Sequence, residues 1–297
     1  MKTKRTGLLM VALMALSVAA CANAESRIEK TLTLAPGGKF VLQTDSGSVT
    51  VTGSSASGAR IIITSNRSDL DSLFNFDFNS SDGLAQVTAR KKTSHWFSNV
   101  NLHFEITVPS QTSLSVKTSG GSVKVSSVQG EQDLHTSGGS IDASEIRGNL
   151  AAHTSGGSIS VRDVTGDADL GTSGGGISVN SLTGSLQAGT SGGPIHIDGV
   201  TGRAIAHTSG GSIQAAFARG NNQGGELSTS GGSIRASLDP SANLDIDAST
   251  SGGSVSSDLQ LRVQGTISRS KVHGTLGSGG QTLQLHTSGG SIRIASL

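Results

Sequence analysis

Residues 136–153 read TSGGSIDASEIRGNLAAH, and residues 154–171 read TSGGSISVRDVTGDADLG. Both begin with Thr-Ser-Gly-Gly and carry isoleucine at the sixth position and glycine at the thirteenth. The tetrapeptide occurs nine times, starting at Thr118, Thr136, Thr154, Thr172, Thr190, Thr208, Thr229, Thr250 and Thr287. The first five intervals are 18 residues, the next two are 21 and the last is 37. A fixed period this short predicts a solenoid of stacked repeats.

Within each repeat, the apolar positions follow the period of a β-strand. The sixth position is always valine or isoleucine and the eighth is mostly apolar, as in Ile159 and Val161. A spacing of two places both side chains on one face of a strand, and β-branched residues favour strands. The glycine at position thirteen, first seen at Gly130, predicts a bend or a positive φ. Each repeat is therefore predicted to form one coil of two or three short strands.

Side-chain volumes alternate from one repeat to the next. Position fifteen runs Leu150, Ala168, Leu186, Ala204, and position seventeen runs Leu134, Ala152, Leu170, Ala188. Because close-packed interiors require such compensation, the columns predict a thin aliphatic core. The predicted fold is an all-β β-solenoid (β-helix) of about 18-residue coils, a rod on the order of 65 Å long at the strand spacing. The extra residues of the 21-residue repeats are expected to bulge outward at 221–223 and 238–240.

The composition excludes several classes of protein. Aromatic residues make up 3% of the 297 residues, which argues against a thick core built on large side chains. Charged residues at 14% are too few for a coiled coil, and a single cysteine excludes a disulfide scaffold. A formal net charge of +1 gives no electrostatic basis for binding nucleic acid.

The N-terminus has the pattern of an export signal. Three cations at residues 2–5 precede an apolar run at 8–20, which is too short for a spanning helix of about 20 residues. Two cleavage sites remain open. A signal peptide of 1–24 would give a soluble protein, whereas a lipobox-like sequence would remove 1–20 and leave a lipidated Cys21. Either predicts an exported protein of the periplasm, outer membrane or cell surface.

Residues 25–117 form a less regular N-terminal β region before the solenoid at 118–297. Strands are predicted at Ile28–Leu34, Phe40–Thr44, Val49–Thr52, Arg60–Thr64, Leu84–Ala89 and Leu102–Val108. The phenylalanine-rich segment 65–83 is interpreted as a loop packed over the first coils. A solenoid needs a cap over its open apolar end, and this region is the predicted cap; a separate small β domain is the alternative.

The sequence predicts no enzyme, no catalytic residue and no cofactor. The Gly-x-Ser-x-Gly pattern of a nucleophile elbow occurs around Ser173 and Ser191. That elbow works only at a strand-to-helix turn, and no segment with a helical period follows either serine. No phosphate loop, dinucleotide fingerprint or zinc-protease helix is present. Both serines are therefore interpreted as parts of structural turns.

Two further groups of residues could bind a ligand. His135 and His153 precede Thr-Ser-Gly-Gly and would lie on adjacent coils about 4.8 Å apart. They are interpreted as solvated edge residues, with a weak metal site as the alternative, because zinc requires about four ligands. The second group is 90–92 with His95, Trp96 and Phe97, interpreted as a solvated loop, with a glycan or anionic envelope polymer as the alternative ligand.

Residues 108–123 read VPSQTSLSVKTSGGSV. This Val-Pro turn followed by Ser-Gly-Gly units resembles the bacterial putative-adhesin family, a domain-of-unknown-function family of β-strand repeats. The resemblance covers most of the mature chain. It implies an exported β-helical protein and carries over no catalytic residue.

Together these features predict a non-enzymatic, exported cell-envelope protein, an adhesin or structural scaffold that presents a repetitive surface to envelope polymers or proteins. The alternatives are a periplasmic partner or sensor of an envelope-stress system and a polysaccharide-active β-helix enzyme. Nucleic acid is not an expected partner, and the membrane would be reached only through a lipid anchor. The chain stops at 291–297 inside a coil, which predicts an open strand edge and self-association through the C-terminal coil.

Overall fold

The computed structural model describes residues 26–92, 100–263 and 268–297. These residues form 27 strands and one four-residue helix. The strands build a 13-stranded sheet and a 14-stranded sheet, here called sheet A and sheet B. At about 4.8 Å between neighbouring strands, sheet B spans about 62 Å. Among the described residues, no helix is long and apolar enough to cross a membrane.

The elements fall into three groups. The N-terminal group comprises β1 (Ser26–Leu32), β2 (Lys39–Thr44), β3 (Ser48–Ser54), β4 (Ala59–Ser65), α1 (Leu70–Leu73), β5 (Phe74–Ser81), β6 (Leu84–Lys91) and β7 (Leu102–Pro109). The regular coils contain β8 (Ser113–Thr118), β9 (Val123–Gln129), β10 (Gln132–Thr136), β11 (Ile141–Arg147), β12 (Leu150–Thr154), β13 (Ile159–Thr165), β14 (Ala168–Thr172), β15 (Ile177–Thr183), β16 (Leu186–Thr190), β17 (Ile195–Val200), β18 (Ala204–Thr208), β19 (Ile213–Phe217), β20 (Gly225–Thr229) and β21 (Ile234–Leu238). The C-terminal group comprises β22 (Leu244–Thr250), β23 (Val255–Ser257), β24 (Arg262–Val263), β25 (Lys271–Leu276), β26 (Gln281–Thr287) and β27 (Ile292–Ser296).

Each regular coil contributes one strand to each sheet. Odd-numbered strands from β9 to β21 follow one another in sheet A, and even-numbered strands from β8 to β20 follow one another in sheet B. Neighbours are parallel and in the register of the repeat, so that Ile141 pairs with Val123 on one side and with Ile159 on the other. The predicted β-solenoid is confirmed.

The predicted aliphatic columns form the core between the sheets. Leu150 pairs with Ala168, and Ala168 pairs with Leu186. All eight residues of the two columns are at most 4% exposed. Because a large side chain in one column adjoins a small one in the other, the cross-section of the core stays nearly constant from coil to coil.

The threonine of Thr-Ser-Gly-Gly joins successive coils at a corner. The Thr154 hydroxyl donates a hydrogen bond to the Gly139 carbonyl of the preceding coil at 2.8 Å and accepts one from the Gly157 amide at 3.4 Å. Thr172 repeats this contact with the Gly157 carbonyl at 2.8 Å. Thr154 is 8% exposed. Its hydroxyl therefore satisfies a corner carbonyl that water does not readily reach.

Replacing Thr154 by valine keeps the side-chain shape but removes both hydrogen bonds. We expect Thr154→Val to lower the free energy of unfolding by about 1–3 kcal/mol, because it leaves the Gly139 carbonyl unsatisfied. Thr154→Ser is the matched control: it keeps the hydroxyl and loses one methyl group, worth about 0.8 kcal/mol. Urea denaturation compares the two variants, and a greater loss for serine would contradict the role of the hydrogen bonds.

Two positions of the repeat bend the chain in several coils. At position thirteen φ is positive in Gly130, Gly148, Gly166, Gly184 and Gly220, as predicted, but not in Gly202. A second bend, which the sequence analysis missed, lies at position ten. There Ser127, Glu145, Asp163 and Ser181 have φ between 53° and 59°. This left-handed conformation costs an L-residue about 1–2 kcal/mol.

The 21-residue repeats accommodate their extra residues partly inside the rod. Asn222 and Gln223 are exposed, but Asn221 and Leu238 are only 6% and 1% exposed. The side-chain amide of Asn221 donates a hydrogen bond to the Val200 carbonyl at 2.7 Å. The predicted outward bulge is therefore wrong for Asn221, whose buried side-chain amide takes over the pairing of this corner, and for Leu238, which ends β21 in the core.

The N-terminal region continues both sheets. β2 lies between β6 and β8, and β3 lies between β7 and β9. At this end β1, β4 and β5 pair antiparallel, and β1 and β5 are the edge strands of the two sheets. The interpretation of 65–83 as a loop is wrong, because Phe74–Ser81 forms a strand whose three phenylalanines alternate toward the core. The domain boundary at residue 118 stays a prediction.

The C-terminal coil does not lie at the end of the rod. β26 is inserted between β20 and β22, and β27 between β21 and β23. The expected open edge at 291–297 is therefore wrong, and the predicted self-association through this coil loses its basis. At the end of the rod opposite β1 and β5, the last strand of sheet A is β23 and the last strand of sheet B is β24, which are three and two residues long. Such short edges present few unpaired backbone groups.

Candidate functional site

A groove follows the second bend along the outside of sheet A. We call it the bend groove; its volume is about 580 Å³. One wall is the row of position-ten residues, Ser127, Glu145, Asp163 and Ser181. The other wall is the row at position twelve, Gln129, Arg147, Thr165 and Thr183. The backbone of the intervening row at position eleven forms the floor.

Alternation along the strands explains these walls. Val128, Ile146 and Val164 at position eleven are at most 1% exposed. Their neighbours on either side therefore point away from the core. Parallel pairing repeats the arrangement at the strand spacing, since Ile146 is paired with both Val128 and Val164. Two polar rows thus run parallel to the rod axis.

Most polar side chains of the bend groove have no hydrogen-bond or ion-pair partner among the described residues. The Ser127 hydroxyl donates a hydrogen bond to Glu145 Oε2 at 2.6 Å. In the portion of the chain that the structure covers, Arg147, Asp163 and Thr165 make no side-chain hydrogen bond and no ion pair. A guanidinium, a carboxylate and a hydroxyl therefore remain available to an external ligand.

A second groove, the sheet B groove, has a volume of about 490 Å³, and its polar groups are largely paired. Asp133 accepts a hydrogen bond from Ser115 at 3.2 Å and lies 3.6 Å from the Lys117 ammonium. Asp167 accepts a hydrogen bond from the Ser185 amide at 2.8 Å. Each contact joins neighbouring coils, so these side chains serve the stack itself.

His135 and His153 lie beside the sheet B groove on adjacent strands, as predicted. Their rings are stacked, with centroids 5.3 Å apart and an interplanar angle of 15°. His135 Nε2 is 2.6 Å from Asp133 Oδ1, and His153 Nε2 is 3.9 Å from Asp169 Oδ1. The described residues contain no group of three or more His, Cys, Asp or Glu arranged to hold a metal ion. The pair therefore supports no metal proposal.

The two serines of the elbow-like pattern lie on exposed turns. Ser173 precedes β15 and Ser191 precedes β17. A strand follows each serine in place of a helix, so neither position has the geometry of a nucleophile elbow. The prediction that the chain has no catalytic residue stays a prediction.

The basic cluster at 90–92 is held by contacts with its surroundings. Arg90 forms an ion pair with Asp45 at 3.1 Å, and the Lys92 ammonium donates a hydrogen bond to the Asp71 carbonyl. The aromatic part of this cluster, residues 95–97, lies outside the described residues. The export segment 1–24 and the lipidation candidate Cys21 lie outside them too.

Comparisons with known proteins identify the architecture. The family model described as Toastrack DUF4097 matches residues 75–295, which confirms the resemblance drawn from residues 108–123. No curated protein matches the chain.

Among solved structures, a putative lipid binding protein from Parabacteroides distasonis is similar at 13% identity and TM-score 0.51, covering 91% of this chain and 96% of its own. A putative adhesin from Bacteroides fragilis is similar at 12% identity and TM-score 0.40, with 91% and 96% covered. A putative cell adhesion protein from Clostridium sporogenes is similar at 11% identity and TM-score 0.25, with 92% and 100% covered. At 13% identity, the likeness to the Parabacteroides distasonis protein concerns the fold alone.

Proposed function

The chain belongs to the Toastrack DUF4097 family, and on that premise we propose that it is an exported, non-enzymatic scaffold with an adhesin-like role at the cell envelope. Its repeating outer surface binds envelope or surface polymers. The names of similar solved structures, a putative adhesin and a putative cell adhesion protein, agree with this role.

The observation that carries the proposal is the constant register of the stacked coils, which is unbroken in sheet A from β9 to β17. Outward positions form straight rows at about 4.8 Å spacing, as in Lys124, Asp142, Ser160 and Ser178 at position seven of sheet A. Inner strands are hydrogen-bonded on both sides, which keeps these rows rigid. A repetitive polymer contacts several such groups at once, so contacts that are weak one by one add up to useful avidity.

The test is retention of envelope polymers by the full chain as a cell produces and processes it. Immobilised protein is exposed to a panel of polysaccharides and matrix proteins, and we expect at least one polymer to be retained at unchanged length. A shortened polymer would support the polysaccharide-active enzyme instead, and specific binding to an inner-membrane protein alone would support the sensor. The mass of the mature N-terminus distinguishes lipidated Cys21 from cleavage after Ala24.

A further inference from the structure

Unusual backbone geometry coincides with the bend groove. Within the described ranges, the non-glycine residues with a positive φ are Ser127, Glu145, Asp163 and Ser181, and all four line this groove. In the following coil Gly199 takes the same position with φ 76°. Glycine makes this bend without strain. Four coils thus carry a polar side chain at a position where the backbone conformation favours glycine.

The side chains kept at this unfavourable position contribute little to the fold. Ser127 and Glu145 form one hydrogen bond with each other on the exterior. Asp163 and Ser181 make no side-chain hydrogen bond or ion pair with the described residues, and neither does Arg147 on the opposite wall. The paired carboxylates of the sheet B groove show the contrasting case, in which polar groups join the coils. The groups of the bend groove are placed to contact something outside the protein.

We infer that the bend groove binds an extended polyhydroxylated chain, a polysaccharide segment, laid parallel to the rod axis. The inference rests on the proposed function, because it names the class of polymer and the surface that takes it. The walls supply acceptors from Glu145 and Asp163, donors from Arg147 and hydroxyls that do both, in register from coil to coil. Sugar hydroxyls also donate and accept, so they match this mixture at every step along the axis.

Other ligand classes fit the groove less well. A peptide adds to an open strand edge or places apolar side chains in pockets. The floor here belongs to β9, β11, β13 and β15, which are all paired with strands on both sides. No aromatic residue lines the groove, so recognition depends on hydrogen bonds in place of stacking. Affinity then comes from the number of coils engaged.

The decisive variant is Glu145→Gly/Asp163→Gly in the full chain. It removes both carboxylates and relieves the left-handed strain, so we expect an unchanged or higher melting temperature. Dextran, a chitin oligosaccharide and a neutral galactan are the probes, and affinity is measured by titration calorimetry or affinity electrophoresis. We expect at least a tenfold loss of affinity for whichever polysaccharide the unmodified chain binds. Glu145→Gln/Asp163→Asn keeps the hydrogen-bonding groups and should lose less.

The control is Asp133→Asn/Asp169→Asn, which removes the same number of charges from the opposite sheet and should leave the affinity within twofold. Full affinity in the glycine variant would overturn the inference, as would equal losses in variant and control. If the unmodified chain binds none of the three polysaccharides but retains a matrix protein, the inference fails and the scaffold role stands. If it retains neither kind of polymer, both fail.

Discussion

Deleting residues 281–297 is expected to unfold a longer segment than the deleted coil. The deletion removes β26 and β27, which separate β20 from β22 and β21 from β23. The buried Leu283, Leu285, Ile292 and Ile294 are each at most 1% exposed. Together they represent an upper estimate of about 6–12 kcal/mol of apolar burial. β22 would lose its parallel neighbour and β23 its only one, so β22 and β25 would keep only their antiparallel pairing.

The corner hydrogen bonds also show that the coil of Thr250 depends on the C-terminal coil. The Thr287 hydroxyl donates to the Gly232 carbonyl at 2.7 Å, and the Thr250 hydroxyl donates to the Gly290 carbonyl at 2.7 Å. The C-terminal coil is therefore the link through which the coil of Thr250 is attached to the rest of the rod. Its loss removes both contacts at once.

Hydrogen exchange measured by mass spectrometry tests this prediction. In the truncated chain, amides of 244–276 should exchange like those of an unfolded segment, whereas β8 to β19 should keep their protection. The control is a pair of single variants on β26: Leu283→Ala in the core should weaken protection, and exposed Gln284→Ala should not. Retained protection of 244–276 after truncation would contradict the prediction and would mean that β22 re-docks directly on β20.

The regular coils could be predicted because the strand pattern within each repeat and the 18-residue period between repeats indicate the same stacking. Ile141, Ile159 and Ile177 recur every 18 residues, and the same residues are paired in the sheet. A strand pattern and a constant period leave one simple stacking order. The end of the chain lacks that agreement. The coils of Thr250 and Thr287 carry the same tetrapeptide, so sequential stacking and insertion satisfy the pattern equally well, and only tertiary pairing separates them.

The bend groove could be predicted only in part. Position thirteen, which directly follows the groove residues in the chain, is glycine in six successive repeats, and that regularity predicts a bend there. Position ten holds Ser127, Glu145, Asp163 and Ser181, which give no local sign of a left-handed backbone. The signal that was present is Gly199 in the same register. It occurs in one coil among five, too few to outweigh the polar residues in the others.

The prediction of a loop at 65–83 was wrong for a different reason. Its alternating Phe74, Phe76 and Phe78 have the period of a strand, but its aromatic content suggested a covering loop. In the structure this strand pairs antiparallel with β6 and forms the edge strand of sheet B. Pairing with the neighbouring strand β6, which the aromatic content of the segment does not reveal, decided the outcome.

In the repeat that begins at Thr154, the second glycine of Thr-Ser-Gly-Gly is expected to be nearly irreplaceable, and the first to be tolerant. A Cβ added at Gly157 would penetrate the Gly139 carbonyl and lie 2.6 Å from the Ser140 amide nitrogen. Both are backbone atoms, and they are held at the strand spacing by the ladders on either side. We therefore expect Gly157→Ala to cost about 3–5 kcal/mol, near the upper end for one substitution.

Gly156→Ala is the matched control in the same turn. A Cβ there would meet its nearest neighbour, the Gly138 carbonyl oxygen, at 3.4 Å, which is ordinary contact. The expected change in the free energy of unfolding is within about 0.5 kcal/mol. Urea denaturation followed by circular dichroism measures both variants. Since neither glycine has a positive φ, the difference between the two reports the close approach of neighbouring coils alone. Equal stabilities would mean that the coils can separate at this corner without cost, which the Thr154 and Thr172 hydrogen bonds argue against.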